Sequence, residues 1–300
     1  MDVLMPIKAE PVGDVAAVLG EGPYWRPEDD CLLWVDIPHG LLHMTRVDDG
    51  ETISVDLGEV SAAFPAVGGG LLTAGGNRLT LRVTRPGEDW AGRTIAAAPA
   101  REGVKFNDAA VDPAGRVWVG SMDIGESQPL GVLYRLDSGG MLTAVVNGVT
   151  VSNGIGWSPD GSRMYYADSA TRKIDSLDYD MATGEAFRRR VFADLSAVEG
   201  FPDGLTVDAD GCVWVAMFAG GTLRRFTPAG RQDAVLPVPV SQPTSCAFGG
   251  PGLAELYVTT ASRDLNETQR AAQPLAGRLL RLRPGPVGLP STTAQAVIPS

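Results

Sequence analysis

Short apolar runs separated by polar turns rich in glycine, proline and aspartate recur along the chain. Five copies pair one apolar run with a second run that ends in an aromatic residue, and they span residues 25–34, 111–118, 157–165, 207–214 and 248–257. A degenerate sixth copy begins at Val67, and successive copies start 42, 44, 46, 50 and 41 residues apart. Repeats of about 40–50 residues built from short strands are typical of propeller blades. The pattern therefore predicts an all-β fold, a six-bladed β-propeller of four-stranded antiparallel blades.

The rest of the chain fits one closed ring of blades. No linker interrupts the repeats, so we expect residues 1–300 to form a single domain. The segment 12–19 should supply the missing strand of the last blade and so remove a free sheet edge. The Pro/Gly-rich segment 284–290 resembles a terminal strap, and the pairs Asp160-Gly161 and Asp210-Gly211 predict type I′ hairpin turns.

Composition excludes several classes of function. The chain has 25 Lys and Arg against 36 Asp and Glu, a net charge of -11, which disfavours nucleic acid and anionic membrane surfaces as partners. It has no run of about 20 apolar residues and no N-terminal signal pattern. Its three cysteines are odd in number and form no CxxC motif, as expected of buried free thiols in a reducing cytoplasm. We expect a cytoplasmic protein, either a monomer or a small homo-oligomer.

One position of the repeat carries the candidate chemistry. The residues four places before each repeat start are Glu21, Ala63, Asn107, Asn153, Asp203 and Thr244. Five of these six residues have a side-chain oxygen. Because equivalent positions in a propeller form a ring around the central axis, the repeat predicts that Glu21, Asn107, Asn153 and Asp203 converge at one mouth of the channel.

Two interpretations of this ring are open. Asn107, Asn153 and Asp203 are residue types that also open strands in ordinary turns. Glu21 is neither a turn residue nor a strand former, however, and converging carboxylates repel one another unless a cation lies between them. The oxygen-rich set favours one divalent cation, namely Ca²⁺, Mg²⁺, Mn²⁺, Zn²⁺ or Fe²⁺. The two histidines, His39 and His43, fall in one predicted loop and are interpreted as surface or loop residues.

Several motifs, in this order, resemble one known family. They are LGEGPYW at 19–25, FND at 106–108, VDPAGRVWVGSM at 111–122, SNG at 152–154, SPDG at 158–161, PDG at 202–204 and PTSCAFGG at 243–250. This set is similar to the SMP-30/gluconolactonase/luciferin-regenerating family, and the resemblance implies a six-bladed propeller with one divalent metal in its channel. By motif, Glu21, Asn153 and Asp203 would be the ligands. Asn107 would contact the substrate.

The sequence departs from the family pattern at two places. Lys105 stands where the family often has arginine, two residues before Asn107, and it is either a substrate contact or a solvated loop lysine. The family often has an acidic residue shortly after a GTM-like segment, which is GSM at 120–122 in this chain. Here that acidic residue is either Asp123 or Glu126, and Glu126 is our predicted substrate contact.

The resemblance implies a metal-dependent sugar lactonase that hydrolyses an aldonolactone, of the gluconolactone or xylonolactone type, to the aldonic acid. Asp203 would also act as the catalytic base, and the partner would be a small sugar lactone. Two alternatives stay open. A more apolar pocket would favour a phosphotriesterase-like or aryl-ester hydrolase, and a purely structural cation would favour a non-enzymatic calcium-binding propeller.

Overall fold

Repeated strand and turn segments form six four-stranded antiparallel sheets arranged in a ring, as the repeat predicts. The computed structural model describes residues 8–83, 90–137 and 140–295. The first strand is β1 (Glu10–Ala16). Blade 1 contains β2 (Gly20–Arg26), β3 (Cys31–Asp36), β4 (Leu41–Arg46) and β5 (Thr52–Asp56). Blade 2 contains β6 (Ala62–Pro65), β7 (Leu71–Gly75), β8 (Arg78–Arg82) and β9 (Gly92–Ala97).

The later blades repeat the same order. Blade 3 contains β10 (Val104–Val111), β11 (Val117–Asp123), β12 (Gly131–Leu136) and β13 (Leu142–Val149). Blade 4 contains β14 (Ser152–Trp157), β15 (Arg163–Asp168), β16 (Lys173–Asp180) and β17 (Glu185–Asp194). Blade 5 contains β18 (Phe201–Val207), β19 (Val213–Phe218), β20 (Thr222–Phe226) and β21 (Gln232–Pro237). Blade 6 contains β22 (Pro243–Gly249), β23 (Glu255–Thr260) and β24 (Arg278–Leu282), with the short helix α1 (Glu267–Ala272) before β24.

Blade 6 is completed from the other end of the chain. Strand β1 pairs antiparallel with β24, which confirms that the N-terminal segment supplies the missing strand. The first strand of each blade contacts the first strands of the two neighbouring blades, so the six inner strands surround a central channel. Blade 3 therefore lies opposite blade 6 across this channel.

The core lies between the faces of neighbouring blades. The second strands β3, β11 and β23 are buried along their whole length, and β15 is buried from its second residue on, because both faces of each sheet are covered. Two of the deepest side chains, Trp118 and Trp214, direct their indole N–H groups at the buried carboxylates of Asp112 and Asp208. This D-x-x-x-x-x-W spacing therefore has a structural role.

Hairpin turns occur at the predicted D-G pairs, but their type differs from the prediction. Gly161 has φ +65° and Gly211 has φ +79°, whereas Asp160 and Asp210 do not have positive φ. A type I′ turn requires positive φ at both central residues. The turns are therefore type I turns closed by a left-handed glycine.

The C-terminal segment crosses the channel end opposite the predicted ring. The amide of Ala209 donates to the carbonyl of Val287, and Ala294 forms a parallel bridge with Ala66. The segment thus connects blades 5 and 2, which confirms the predicted strap.

The three cysteines match the environment that the sequence predicts, whereas one of the two histidines does not. All three cysteines are free and buried, as predicted. The prediction for His43 is wrong, because this residue is buried in β4, where its ring packs against Trp34 with 4.4 Å between ring centroids. His39 lies outside the strands and contacts Asp36. No helix in the described ranges is long and apolar enough to cross a membrane.

Candidate functional site

Four polar residues of the repeat line one cavity at one mouth of the channel. The cavity has a volume of about 470 Å³, and its walls include Glu21, Asn107, Asn153 and Asp203. Each residue comes from the inner strand of a different blade, namely β2, β10, β14 and β18. The structure thus brings together residues that are up to 182 positions apart in sequence.

β-Bulges occur at the site-forming position of the repeat. Strand pairing shifts register at or beside Glu21, Asn107, Asn153, Asp203 and Thr244. In blade 2, where Ala63 occupies the equivalent position, the pairing is regular. A bulge redirects a side chain and bends its strand. The inner strands are therefore irregular at the five positions that carry a side-chain oxygen. Because Asn107, Asn153 and Asp203 lie inside strands, they are not hairpin-turn residues.

The glycines that follow two of these residues allow the inner strands to approach each other closely. A Cβ atom on Gly154 would lie 2.6 Å from the carbonyl oxygen of Asp203, and one on Gly204 would lie 2.0 Å from Oγ of Ser245. Both distances are shorter than van der Waals contact. The SNG and PDG motifs therefore reflect packing around the channel as well as the polar residue itself.

A hydrogen-bonded chain connects three blades beneath the cavity. Nδ2 of Asn107 donates to Oδ1 of Asn153 at 2.9 Å and to the carbonyl of Ser152 at 2.9 Å. Nδ2 of Asn153 donates to Oγ of Ser169 at 2.7 Å, and this hydroxyl donates to the carbonyl of Pro202 at 2.6 Å. The chain fixes the orientation of the Asn153 amide, so that its oxygen is the group left to accept further bonds.

Buried carboxyl groups concentrate around the channel. Burial, followed by repulsion from Asp108, raises the pKa of Glu21 to about 8. Burial also raises the pKa of Asp108 to about 7, and burial with repulsion from Glu21 and Asp108 raises the pKa of Asp203 well above its usual range. Among the described residues, no nearby positive charge is one of the main influences on these three pKa values, so nothing offsets the burial of the ionised groups.

Asp203 is also short of hydrogen-bond partners. Its Oδ1 atom is buried and has no partner among the described residues. By contrast, the equally buried carboxylate of Asp208 accepts from the amides of Asp210 and Cys212, from Trp214 and from Arg225. A buried carboxylate oxygen without a partner is costly unless an ion or water satisfies it.

The donor set of the cavity fits a hard divalent cation. It combines the carboxylates of Glu21 and Asp203 with the amide oxygen of Asn153. Such oxygens are the preferred ligands of Ca²⁺ and Mg²⁺ and are accepted by Mn²⁺. In residues 8–83, 90–137 and 140–295, no group of three or more His, Cys, Asp or Glu side chains could hold a metal ion. A cation at this site would therefore depend on the Asn153 amide as its third protein ligand.

Charged residues at the rim include one that the sequence did not identify. Lys105 and Glu126, the predicted substrate contacts, line the cavity together with Arg263, whose side chain contacts Glu126 at 3.1 Å. Of the two acidic candidates, Asp123 at the end of β11 does not line the cavity. Its carboxylate accepts from the amides of Ser127 and Gln128.

Apolar side chains form a large part of the cavity wall. They are Leu19, Ile37, Pro38, Met122, Ile124, Val151, Ala170, Phe201 and Phe218. The cavity thus combines converging polar groups with an apolar wall, as is usual for a small-molecule site.

Comparison with known proteins supports the motif resemblance. A family model described as the SMP-30/Gluconolactonase/LRE-like region matches residues 19–262. The chain is 35% identical to regucalcin from Xenopus laevis over 92% of this chain and 94% of that protein. It is also 35% identical to the pentonolactonase XacC from Haloferax volcanii, over 93% of this chain and 95% of that protein. A crystal structure of regucalcin from Agrobacterium tumefaciens, described as a calcium-binding protein, superposes with a TM-score of 0.93 at 26% identity, covering 99% of this chain and 100% of that chain.

Proposed function

The chain belongs to the SMP-30/gluconolactonase/LRE-like family, and we propose that it is a sugar lactonase that hydrolyses an aldonolactone with one divalent cation at the channel mouth. The observation that carries this proposal is the convergence of Glu21, Asn153 and Asp203 on one cavity, with Oδ1 of Asp203 buried and unpartnered. Similarity to a pentonolactonase supports a lactone substrate, and similarity to a calcium-binding regucalcin supports a cation.

Glu21, Asn153 and Asp203 would hold the cation. The chemistry that a divalent cation supplies at such a site is polarisation of the ester carbonyl and stabilisation of negative charge on its oxygen. Asn153 would present its amide oxygen, because Ser169 engages the amide nitrogen. Glu21 accepts the amide of Gly22 through Oε2 at 3.0 Å and keeps its other oxygen available.

Asp203 would act as the general base. One of its carboxylate oxygens would face the cation and the other would receive the proton of a water molecule that attacks the lactone carbonyl; Oδ1 accepts no hydrogen bond from the described residues. General-base assistance of this kind contributes about 10²–10⁴-fold to the rate.

Asn107 and Lys105 would position the sugar. Both hydrogens of Asn107 Nδ2 are used in bonds to Ser152 and Asn153, so Asn107 contacts substrate through Oδ1, as an acceptor from a sugar hydroxyl. Lys105 is half-buried in the wall and would donate to a hydroxyl or to the ester group.

A second candidate function rests on the apolar wall. Ile124 and Phe201 are more than 40% exposed at the mouth, at 57% and 41%, and could receive an aryl or alkyl group. This feature favours an aryl-ester or phosphotriester hydrolase that uses the same polar residues. A calcium-binding propeller without activity is the third possibility, and turnover would exclude it. Placement of the protein in the cytoplasm is also a proposal, based on its three free buried thiols.

A substrate panel tests the proposed reaction. Chelated protein, restored with Ca²⁺, Mg²⁺, Mn²⁺, Zn²⁺ or Fe²⁺, is assayed for acid release from aldonolactones and, in parallel, for hydrolysis of aryl esters and phosphotriesters. We expect lactones to have the highest kcat/KM. Asp203→Asn should lower kcat by at least 10²-fold, whereas Asp210→Asn, on the exposed hairpin turn, is the matched control. No lactone turnover with any cation would refute the proposal.

A further inference from the structure

An ion pair spans the entrance of the cavity between opposite blades. Glu126 lies in the loop between β11 and β12 of blade 3, and Arg263 follows β23 of blade 6. Nη1 of Arg263 lies 3.1 Å from Oε1 of Glu126, and both residues line the cavity. Because blades 3 and 6 face each other across the channel, this contact crosses the path of an entering ligand.

The contact is exchangeable. Both side chains are 44% exposed, and exposed ion pairs contribute little to stability because water screens them. The only other carboxylate partner of Arg263 among the described residues is Asp264, whose side chain is 84% exposed. Another carboxylate could therefore replace Glu126 on the guanidinium of Arg263 at low cost.

Positive charge is in excess at this rim. Lys105 lines the same wall and forms no hydrogen bond or ion pair within residues 8–83, 90–137 and 140–295. Burial, followed by the positive charge of Arg263, lowers its pKa, while Glu126 and Glu59 oppose this shift. Glu59 does not line the cavity. Asp264, the other partner of Arg263, does not line the cavity either, so Lys105 and Arg263 face only one carboxylate on this rim among the described residues, that of Glu126.

From this charge arrangement we propose that the preferred substrate is a lactone carrying a carboxylate remote from its ester, such as the monolactone of a sugar diacid. The carboxylate replaces Glu126 on Arg263 and also receives the charge of Lys105, while the ester lies at Glu21, Asn153 and Asp203. Arginine binds a carboxylate through its planar fork of N–H donors, and the bound Glu126 already shows that this chemical group fits. The inference rests on the proposed lactonase function and specifies its substrate class.

A matched pair of lactones provides the test. Glucaro-1,4-lactone and glucono-1,4-lactone differ only in having a carboxylate or a hydroxymethyl group at C6. The cation-restored protein, Arg263→Gln and Glu126→Gln are compared by the ratio of kcat/KM for the two lactones. Arg231→Gln, an exposed arginine next to a β20–β21 turn, removes the same charge away from the cavity and serves as control.

The expected result is a preference for the diacid lactone of about 10-fold or more, lost in Arg263→Gln and kept in Arg231→Gln. Glu126→Gln should increase the preference, because it removes the competing carboxylate. Equal ratios in the parent and Arg263→Gln would overturn the inference even if both lactones are hydrolysed. A larger, Arg263-dependent preference for 6-phosphogluconolactone would overturn the assignment of a carboxylate.

Failure of the proposed lactonase function can be distinguished from failure of the proposed anion site. If neither lactone is hydrolysed, calorimetric titration of the same two lactones still measures binding. Tighter binding of the diacid lactone that disappears in Arg263→Gln would support the anion site while refuting the lactonase function. Equal binding of both lactones would refute the anion site as well.

Discussion

Nδ2 of Asn107 donates a hydrogen bond of 2.9 Å to Oδ1 of Asn153, although 46 residues separate them. The bond couples blades 3 and 4 at the channel mouth. It also determines the amide orientation of Asn153, because the reverse orientation would place two NH₂ groups against each other. The proposed substrate contact and the proposed ligand are therefore parts of one network that continues to Ser169.

Ser169→Ala should weaken cation binding about 10- to 100-fold, as is typical when a partner that orients a ligand is removed. The substitution deletes the acceptor that holds Nδ2 of Asn153, so only the bond from Asn107 still orients the amide. Cation affinity is measured by calorimetry. Ser196→Ala, whose hydroxyl contacts the exposed side chain of Asp194, is the matched control. Unchanged affinity in Ser169→Ala would show that the hydrogen bond does not position Asn153.

Lys105→Ala should raise KM for the lactone with little change in kcat, because it removes a binding contact outside the reacting centre. Cation affinity should be retained. Steady-state kinetics measure this split, and Lys173→Ala, a partly exposed lysine paired with Asp194, controls for the loss of positive charge. Kinetics equal to those of the parent protein would make Lys105 a solvated lysine after all.

Gly154→Ala should destabilise the protein by about 1–3 kcal/mol, the usual cost of overpacking. The added Cβ would lie 2.6 Å from the carbonyl oxygen of Asp203 and 2.8 Å from Cγ of Leu205, so β14 and β18 must separate. Chemical unfolding measures the change. In Gly125→Ala the nearest atom is a carboxylate oxygen of Asp123 at 3.3 Å, and this control should lose less stability. Equal losses would mean that the inner strands are not closely packed at Gly154.

The cation-free protein should become less stable as pH rises from about 5 to 8. Burial raises the folded-state pKa of Glu21 to about 8 and of Asp108 to about 7, above the values of an unfolded chain. The folded state therefore binds more protons in this range, so its stability is present at low pH and is lost as pH passes through these values.

Thermal unfolding in chelator measures this dependence. At pH 8 we expect cation-free Glu21→Gln to have a higher Tm than the cation-free parent protein, because it lacks the buried charge. Ca²⁺ should reverse the order by stabilising the parent. A Tm that rises from pH 5 to 8 in chelator, with Glu21→Gln below the parent protein, would contradict the pKa shifts.

Residues that repeat at a constant spacing could be predicted from the sequence. Trp157 and Val207 end the inner strands β14 and β18, and Trp25 is the second-last residue of β2. Counting four residues back from each reaches Asn153, Asp203 and Glu21. A repeated position has the same place in each blade, which is why the fold and the convergence of these residues were both predictable.

Residues in the connecting loops were not predictable in this way. Ser169 follows β15, and Arg263 follows β23, in loops that differ between blades in length and composition. Ser169 acts through its contact with Asn153, and Arg263 acts through its contact with Glu126, which lies 137 positions earlier in the sequence. The bulges were also missed, although the glycines of the SNG and PDG motifs were a signal of close strand approach.

The most direct test measures the rate of lactone hydrolysis by chelated protein as a divalent cation is titrated back. If Glu21, Asn153 and Asp203 hold the ion that the reaction requires, activity should be absent after chelation and should saturate at one bound ion per chain. Asp203→Asn should require far more cation and should stay slow at saturation. Full activity in the chelated protein, confirmed cation-free by elemental analysis, would contradict the proposed site.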